Sequence, residues 1–399
     1  MSASVSPTIA ALFPDALERQ LVDLRRAIHQ HPELSFRESG TADKLMAALT
    51  AVGANEVTRV ANTGVVARVH GKNRNAPVVA VRGDIDALPI QEATGLPYAS
   101  AVPGVMHACG HDVHATWAVG AAALLATHPA EGDVLVVLQP AEETGKGALS
   151  ILETGVLDGV KAIFGGHVDR RFAVGQVVAD EGPLAASADM FEIELLGAGA
   201  HAARPHESRD PIVAAAAIIS ALQSIVSRRL NPATPGVVTI GSIHAGSASN
   251  VIPERATLSG TVRAVEQQSR QLMLNEVRQV TESVAAAFGV QARVTLDLGT
   301  PPIVNPAGPV AWARQASATT VGAENVVPLG FLNMAGEDFA HYMESIPGCF
   351  MRIGAREPGA AVIPAHAATF YAAEQSIFVG AAVLAECARV ASHAVAADR

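Results

Sequence analysis

Three short apolar segments of this chain are each followed within a few residues by acidic or imidazole side chains. Residues 78–81 precede Asp84 and Asp86, residues 133–138 precede Glu142 and Glu143, and residues 161–164 precede His167. Apolar runs of this length are typical of strands that are buried on both faces of a sheet. Because open α/β sheets bind ligands beyond the carboxyl ends of their strands, we expect these side chains to converge on one site.

Helical segments alternate with these strands. Apolar residues at helical spacing predict helices at 15–30, 38–52, 115–126 and 148–153. Aromatic residues make up only 4% of the chain, and Ala, Val, Ile and Leu dominate it. This order and composition predict an α/β domain with a mixed sheet and helices on both faces.

The pattern changes after Gly182, and 399 residues are too many for one ordinary core. The segments predicted there are strands at 188–196, 237–244, 256–265 and 291–297, with helices at 211–230 and 267–288. This β-α-β-β-α-β order predicts a four-stranded α+β sheet with two helices on one face. After residue 301 the α/β character resumes with segments at 310–319, 350–353 and 372–395. We therefore expect an α+β domain at 186–298, inserted between catalytic segments 1–185 and 299–399.

Charge and cysteine content restrict the partners of the chain. The net charge is −10, from 28 basic and 38 acidic residues without a basic block, so nucleic acid is not an expected partner. The first fourteen residues lack Lys and Arg, and we find no apolar run of some eighteen residues, so neither a secretory signal nor a membrane span is expected. Three cysteines without disulfide spacing indicate a soluble cytoplasmic protein.

The segment 107–114 concentrates a thiol, three imidazoles and a carboxylate. If the segment is extended, Cys109 and His111 point the same way and could share a metal ion or a metal pair. Thiolate and imidazole favour zinc or a similar transition ion. A structural zinc knot is disfavoured, because Cys109 and His111 supply only two ligands and no second Cys pair exists. From this segment alone, Cys109 could also be a nucleophile activated by His111, or one of these groups could be a core residue.

A wider set of residues suits two ions that share a bridging ligand, roughly 3.5–4 Å apart. The candidate ligands are Cys109, His111, Glu143, His167 and His366. Cys109 is the natural bridging ligand. A second group of polar residues, His29, His31, Glu33 and Glu38, is interpreted as a polar surface turn between two helices and is left out of the site.

Glu142 is the candidate general base. Only one of two consecutive glutamates can comfortably face the same metal ion, which leaves Glu142 available beside Glu143. A metal ion lowers the pKa of a water that it binds to around 7, and a neighbouring carboxylate can take the proton during attack and return it to a leaving amine. The implied reaction is hydrolysis of an amide.

Four motifs resemble signatures of a known family. They are Asp84–Pro89, Met106–His114, Gln139–Glu143 and Gly336–Phe339. Together they are similar to the aminoacylase, hippurate hydrolase and auxin-conjugate hydrolase branch of the metal-dependent amidohydrolases and carboxypeptidases. The resemblance extends over nearly the whole chain in the same order.

This resemblance implies a catalytic α/β domain with two divalent metal ions, and an inserted lid domain that also forms a homodimer interface. It implies Cys109, His111, Glu143, His167 and His366 as ligands of zinc, manganese or cobalt, and Glu142 as acid and base. Cys109 is then a metal ligand and not a nucleophile. The family's substrates are N-acyl or N-aroyl amino acids, and a dipeptidase or carboxypeptidase with the same centre is the alternative. A relative that has lost catalysis would not need to keep both Glu142 and Glu143.

The resemblance also extends to the inserted domain. His201 is similar to a histidine that stabilises the tetrahedral oxyanion, and Asn250 and Arg263 are similar to substrate-binding positions. Asp84 stands where other branches place a ligand histidine, so Asp84 and Asp86 are expected to orient ligand histidines. His366 lacks the Ser-Pro that commonly follows it in the family.

Overall fold

The computed structural model of the protein describes residues 6–397 and divides into two compact units. The first unit comprises Met1–Gly182, Asn305–Phe331 and His341–Arg399, and the second comprises Pro183–Val304 and Leu332–Ala340. The second unit therefore also includes residues 332–340, which the sequence-based boundary at 299 assigns to the catalytic part.

The secondary structure follows the predicted alternation. In chain order the α-helices are α1 (Pro7–Ala10), α2 (Asp15–Gln30), α3 (Ser39–Ala51), α4 (His111–Thr127), α5 (Gly147–Leu152), α6 (Pro211–Ser224), α7 (Gln267–Ala287), α8 (Ala307–Val321), α9 (Ala340–Met343) and α10 (Gln375–Ala397). The strands are β1 (Glu56–Val60), β2 (Gly64–Val69), β3 (Val79–Asp84), β4 (Val134–Gln139), β5 (Ile163–Ala173), β6 (Val177–Val178), β7 (Gly182–Ala185), β8 (Asp189–Leu196), β9 (Ala200–His201), β10 (Gly236–Ala245), β11 (Val251–Ile252), β12 (Arg255–Ala264), β13 (Gln291–Asp297), β14 (Ile303–Asn305) and β15 (Gly348–Arg356).

The first unit is built on a seven-stranded mixed sheet of order β1-β2-β4-β3-β5-β15-β6. Strands β4, β3, β5 and β15 are parallel to their neighbours within this group, whereas β1, β2 and β6 join antiparallel. Asp84 at the end of β3 pairs in register with Gln139 at the end of β4. The carboxyl ends of these strands therefore lie side by side, which confirms the predicted mixed α/β sheet.

Helix α4 lies at the centre of the first unit, and small residues bring its neighbours close. A Cβ at Gly83 of β3 would lie 2.3 Å from the carbonyl oxygen of His114 in α4. A Cβ at Gly380 of α10 would lie 2.2 Å from the ring of Trp117. Glycine at both positions lets α4 contact a strand and a helix at backbone distance, which fixes its first turn against the end of β3.

The second unit contains a four-stranded antiparallel sheet of order β10-β12-β8-β13. Its strands and the helices α6 and α7 follow the predicted β-α-β-β-α-β order. The predicted helix 211–230 ends in a π-helical turn, Ile225–Arg229. The apolar core of this unit includes Phe191, Ile218 and Met273.

Two helices have the length and mean hydropathy of a membrane-spanning helix, although polar residues interrupt the apolar sequence of both. They are Pro211–Arg229 and Gln375–Ala397. Of the second, 72% is buried within the described part of the chain, compared with 33% of the first. Burial to this extent is that of a core helix in a globular unit, and helix α10 packs on α4 and α8.

Candidate metal centre

The segment that carries Cys109 and His111 is a tight turn into α4, not the extended strand that the sequence analysis assumed. Gly110 has a φ of 92°, and His111 is the first residue of α4. A Cβ at position 110 would lie 2.4 Å from a methyl group of Val168, so this turn requires glycine. Cys109 and His111 nevertheless lie together, because the Cys109 Sγ is 3.1 Å from the Nε2 of His167 and all three donor atoms lie within 4.8 Å of one another.

The two consecutive glutamates lie on a short 3-10 turn, Glu142–Thr144, directly after β4. The Asp86 carboxylate accepts the backbone N–H groups of Glu142 and Glu143, both at 3.1 Å. The backbone N–H of Ala141, whose φ is 54°, donates to the Glu38 carboxylate at 2.9 Å. Two buried carboxylates therefore hold this turn by its backbone, and the side chains of Glu142 and Glu143 do not have to hold it.

Asp86 also fixes the orientation of His111. The Nδ1 of His111 lies 2.9 Å from the backbone oxygen of Asp86 and 3.1 Å from its carboxylate. This places Nε2 on the side of the glutamates, 3.8 Å from one carboxylate oxygen of Glu142 and 3.8 Å from one of Glu143. A histidine that binds a metal ion through one ring nitrogen usually donates the N–H of its other ring nitrogen to a carboxylate or a carbonyl.

His366 reaches the same place from a distant loop. Its Nε2 lies 3.5 Å from a carboxylate oxygen of Glu143, and its side chain is 54% exposed. Its φ is 67°, a left-handed conformation that is uncommon for a side-chain-bearing residue. Its backbone N–H donates to the carbonyl of Ala108 at 2.8 Å, which ties the loop to the residue before Cys109.

Two of the groups of donor atoms that could hold a metal ion, both triads, share the Cys109 sulfur, and a further group, His111 with Glu142 and Glu143, includes the candidate base. One triad is Cys109, His111 and His167, and the other is Cys109, Glu143 and His366. Among the described residues, the Nε2 of His111 and the Oε1 of Glu143 are buried without a hydrogen-bond partner. Buried polar atoms without a partner are rare in native proteins, and bound cations would satisfy both of these atoms. Thiolate, imidazole and carboxylate donors in this arrangement fit a pair of divalent transition ions.

The electrostatics disfavour Cys109 as an activated nucleophile. Burial and the charge of Glu143 raise the pKa of the Cys109 thiol well above its usual value. A reactive cysteine requires the opposite shift, so this sulfur is neutral unless a cation binds it. Burial lowers the pKa of His167, which leaves the neutral imidazole that a metal ligand requires.

A second histidine of the motif, His114, supports the centre without facing it. Its Nδ1 lies 2.6 Å from the carboxylate of Asp84, and its Nε2 accepts the backbone N–H of Val168 at 2.9 Å. The carbonyl of Val168 in turn lies 2.7 Å from the Nδ1 of His167. Asp84, which also pairs with the buried Arg82, is therefore connected through His114 to the strand segment that carries His167. The sequence analysis did not assign His114 a role, because its partners lie 30 and 54 residues away.

The interpretation of the group that begins at His29 as a surface turn is wrong for two of its members. His29 and Glu38 are fully buried. His29 lies 2.8 Å from Asp112, which also accepts the Arg25 Nε at 2.6 Å, and Glu38 holds Ala141. Both residues extend the polar network below the centre instead of facing solvent.

The remaining predicted site residues lie in the second unit. His201 in β9 pairs in register with Val251 of β11, and the carbonyl of Asn250 accepts the N–H of Ala202 at 3.0 Å. His201 and Asn250 are therefore neighbours, and both are exposed. Arg263 lies on β12 with its guanidinium half-buried, and burial lowers its pKa.

Cysteine, histidine and glutamate donors that are brought together by the strands, turns and loops of an α/β unit, with a further glutamate beside them, are typical of metal-dependent hydrolases. Comparison with family models gives the same assignment, since the model of peptidase family M20/M25/M40 matches residues 80–390. The chain belongs to this family and is a hydrolase of carbon–nitrogen bonds.

Characterised relatives support the assignment. An N-acetyl-L-cysteine deacetylase of Bacillus subtilis is 43% identical over 340 residues, which cover 85% of this chain and 81% of the relative. The IAA-amino acid hydrolase ILR1-like 4 of Arabidopsis thaliana is 40% identical over 378 residues, which cover 92% of this chain and 84% of the relative. The crystal structure of the Bacillus subtilis YXEP protein, described as a dinuclear metal binding peptidase of family M20, is 38% identical and superposes with a TM-score of 0.83. That comparison covers 95% of this chain and 99% of the other.

Proposed function

We propose that the chain hydrolyses the amide bond of N-acyl or N-aroyl amino acids, and releases a carboxylic acid and an amino acid. The observation that carries this proposal is the pair of donor triads that share Cys109, next to Glu142. The proposed ligands are Cys109, His111, Glu143, His167 and His366. Relatives named as a deacetylase of N-acetylcysteine and as a hydrolase of IAA-amino acids support this substrate class.

In this proposal the role of each side chain follows from its position. Two bound divalent ions, of zinc, manganese or cobalt, would polarise the amide carbonyl and make water acidic enough to attack at neutral pH. Glu142 lies 3.8 Å from the Nε2 of His111, so its carboxylate is beside the proposed ligands. It takes the proton from the attacking water and delivers it to the leaving nitrogen. Asp86 holds the proposed ligand His111 from behind, and Asp84 supports the strand segment of His167 through His114.

For the second unit, we infer a role as substrate-binding lid. The Nδ1 of His201 accepts the N–H of Ala203 at 3.1 Å, which makes Nε2 the protonated ring nitrogen in the neutral tautomer. An exposed Nε2–H is a suitable donor to a developing oxyanion. The Arg263 guanidinium is the proposed partner of the substrate carboxylate, because its hydrogen bonds to the described residues are to carbonyl oxygens at 3.2 and 3.4 Å from one nitrogen, Nη1.

We also propose that this unit forms a homodimer. Strand β10 is an edge of its sheet and exposes Ile243, while α6 exposes Ile212 and Val213. An edge strand beside exposed apolar side chains is a surface that a second copy could cover. A cytoplasmic location is inferred from the cysteines, since Cys109, Cys349 and Cys387 are all unpaired and buried.

The function is tested by hydrolysis assays on acetyl-, benzoyl- and indolyl-acetyl amino acids, with dipeptides as the competing class. A chelator should abolish hydrolysis, and zinc, manganese or cobalt should restore it. Higher kcat/KM for dipeptides than for every N-acyl amino acid would favour the alternative, a peptidase with the same centre. One relative of this chain is named thermostable carboxypeptidase 2.

Glu142→Gln tests the acid and base role. The substitution keeps the size of the side chain and removes its basicity, so we expect metal content to be retained and kcat to fall by about 10²–10⁴-fold. Metal content is measured by elemental analysis, and kcat by release of the free amino acid. Normal turnover by this variant would refute the assignment of Glu142.

A further inference from the structure

The loop that carries His366 is closed at its base and filled by one arginine. The backbone N–H of Ala373 donates to the carbonyl of Ala355 at 3.0 Å, which joins the two ends of the segment between β15 and α10. The side chain of Arg170, three residues after His167 in β5, enters this closed loop with only 1% of its surface exposed.

Arg170 contacts the loop near both of its ends and in its middle. Its Nη1 donates to the carbonyl of Tyr371 at 3.0 Å and to that of Ala355 at 3.4 Å, and its Nη2 donates to that of Ala361 at 3.0 Å. It forms an ion pair with Glu357 at 3.1 Å, and its guanidinium lies 4.2 Å from the centre of the Tyr371 ring. The planar guanidinium of arginine has several N–H donors and can make these contacts together. The single ammonium group of a lysine at this position could not make them all.

The filled loop leads directly to the metal centre. His366 lies between Ala361 and Tyr371, both of which Arg170 holds. The same loop is joined to the segments that flank the centre, because the N–H of His366 donates to Ala108 and the carbonyl of Ala368 accepts the N–H of Ala93, both at 2.8 Å. The position of the His366 imidazole, with its left-handed backbone, therefore depends on a loop that contains little regular structure.

We propose that Arg170 is a positioning residue that holds His366 in reach of Glu143, and so sets the affinity of the ion that these two side chains and Cys109 bind. The proposal rests on the proposed function, because it takes His366 as a metal ligand. Arg170 contacts the loop backbone and the side chains of Glu357 and Tyr371, so it acts on His366 through the loop. His167 and Arg170 lie on one strand, so β5 supplies a proposed ligand to one triad and the support of a ligand to the other.

The test uses Arg170→Lys, which keeps the positive charge and removes the planar guanidinium with its several N–H donors. In the metal-free protein, we expect hydrogen exchange at the backbone amides of residues 357–371 to become at least about tenfold faster. Zinc titration by calorimetry should show one of two sites weakened by about 10–100-fold, the range typical of lost support to a metal ligand. Glu357→Gln, which removes only the half-exposed partner, should change both readouts in the same direction by less.

Arg171→Lys is the matched control. Arg171 is adjacent, is 44% exposed and pairs with Asp169, so neither exchange nor zinc affinity should change. The decisive variant is Arg170→Lys combined with His366→Ala. If Arg170 acts through His366, the double variant binds zinc no more weakly than His366→Ala alone.

The outcomes separate the two proposals. If His366→Ala leaves zinc affinity unchanged, His366 is not a ligand, and the proposed metal set fails while the exchange data still report on the loop. If His366→Ala weakens zinc binding but Arg170→Lys does not, or if the two losses add, the positioning role of Arg170 is overturned.

Discussion

Replacement of Asp86 by asparagine tests how the backbone around the centre is held. The Oδ1 of Asp86 faces the Nδ1 of His111 and the N–H of Glu142, and its Oδ2 faces the N–H of Glu143 and the hydroxyl of Ser35 at 2.7 Å. An asparagine has one acceptor oxygen, so one of these two positions becomes an N–H₂ donor. With the amide nitrogen at the Oδ2 position, the Ser35 hydroxyl can reverse and accept, and only the N–H of Glu143 loses its acceptor.

The magnitude follows from this count. One backbone N–H left without an acceptor in a buried place costs about 1–3 kcal/mol, and the loss of a charged acceptor for the other donors adds to it. The opposite amide orientation would deprive Glu142 of its acceptor and weaken the support of His111, so it costs more. Because Glu143 is a proposed ligand, displacement of its backbone should also weaken zinc binding by about 10–100-fold.

Two assays measure these effects separately. Urea unfolding of the metal-free protein gives the change in the free energy of unfolding, and competition with a chromogenic chelator gives the zinc affinity. Ser35→Ala is the control, because it removes one hydrogen bond to Asp86 and leaves every backbone donor satisfied. We expect it to cost about 1 kcal/mol and to leave zinc affinity within a factor of a few. An Asp86→Asn variant with wild-type stability and zinc affinity would refute this account of the turn.

Two further predictions concern the scaffold. Gly83→Ala should destabilise the protein by at least about 2 kcal/mol in urea unfolding, because its Cβ would lie 2.3 Å from the carbonyl oxygen of His114. Gly308→Ala, in helix α8 and with nothing within 4 Å, should leave stability unchanged or raise it by up to about 1 kcal/mol. Equal stability of the two variants would contradict the close approach at Gly83. Burial raises the pKa of Glu92, but hydrogen bonds, led by that from His29, outweigh it and bring the pKa to about 2. Because a depressed pKa stabilises the fold only above the unfolded value, Glu92→Gln should lose up to about 3 kcal/mol at neutral pH. Its difference from wild type should narrow as the pH falls from 4.5 towards 2, and a difference independent of pH would exclude this linkage.

The sequence analysis grouped most of the candidate donors because strands have a strong local signature. Apolar runs identify β3 and β4, and the rule that ligands bind beyond strand ends places the turn of Glu142 and Glu143 next to Asp86. His167 does not follow this rule, since β5 continues to Ala173 and His167 lies inside the strand and not beyond its end. His366 was a candidate ligand from its residue type, and no local pattern in its loop indicates which strand ends it lies beside.

The parts that were missed depend on contacts between distant residues. The burial of Glu38 follows from its hydrogen bond to Ala141, 103 residues away, and nothing in the local polarity of its segment indicates that contact. The turn at Gly110 was missed because alternation along an extended segment and a left-handed glycine both bring Cys109 and His111 together. The contacts of Arg170 with residues 355–371 are equally invisible in an arginine that follows an aspartate.

The central claim is that the Cys109 sulfur is shared by two metal sites. Calorimetric titration of the metal-stripped protein with zinc tests it most directly, with Cys109→Ser measured in parallel. We expect two ions per chain in the wild type, and weaker binding of both ions in the variant, because serine is a poor substitute for a thiolate at either site. Binding of a single ion by the wild type, or loss of only one of two ions in Cys109→Ser, would contradict a shared sulfur.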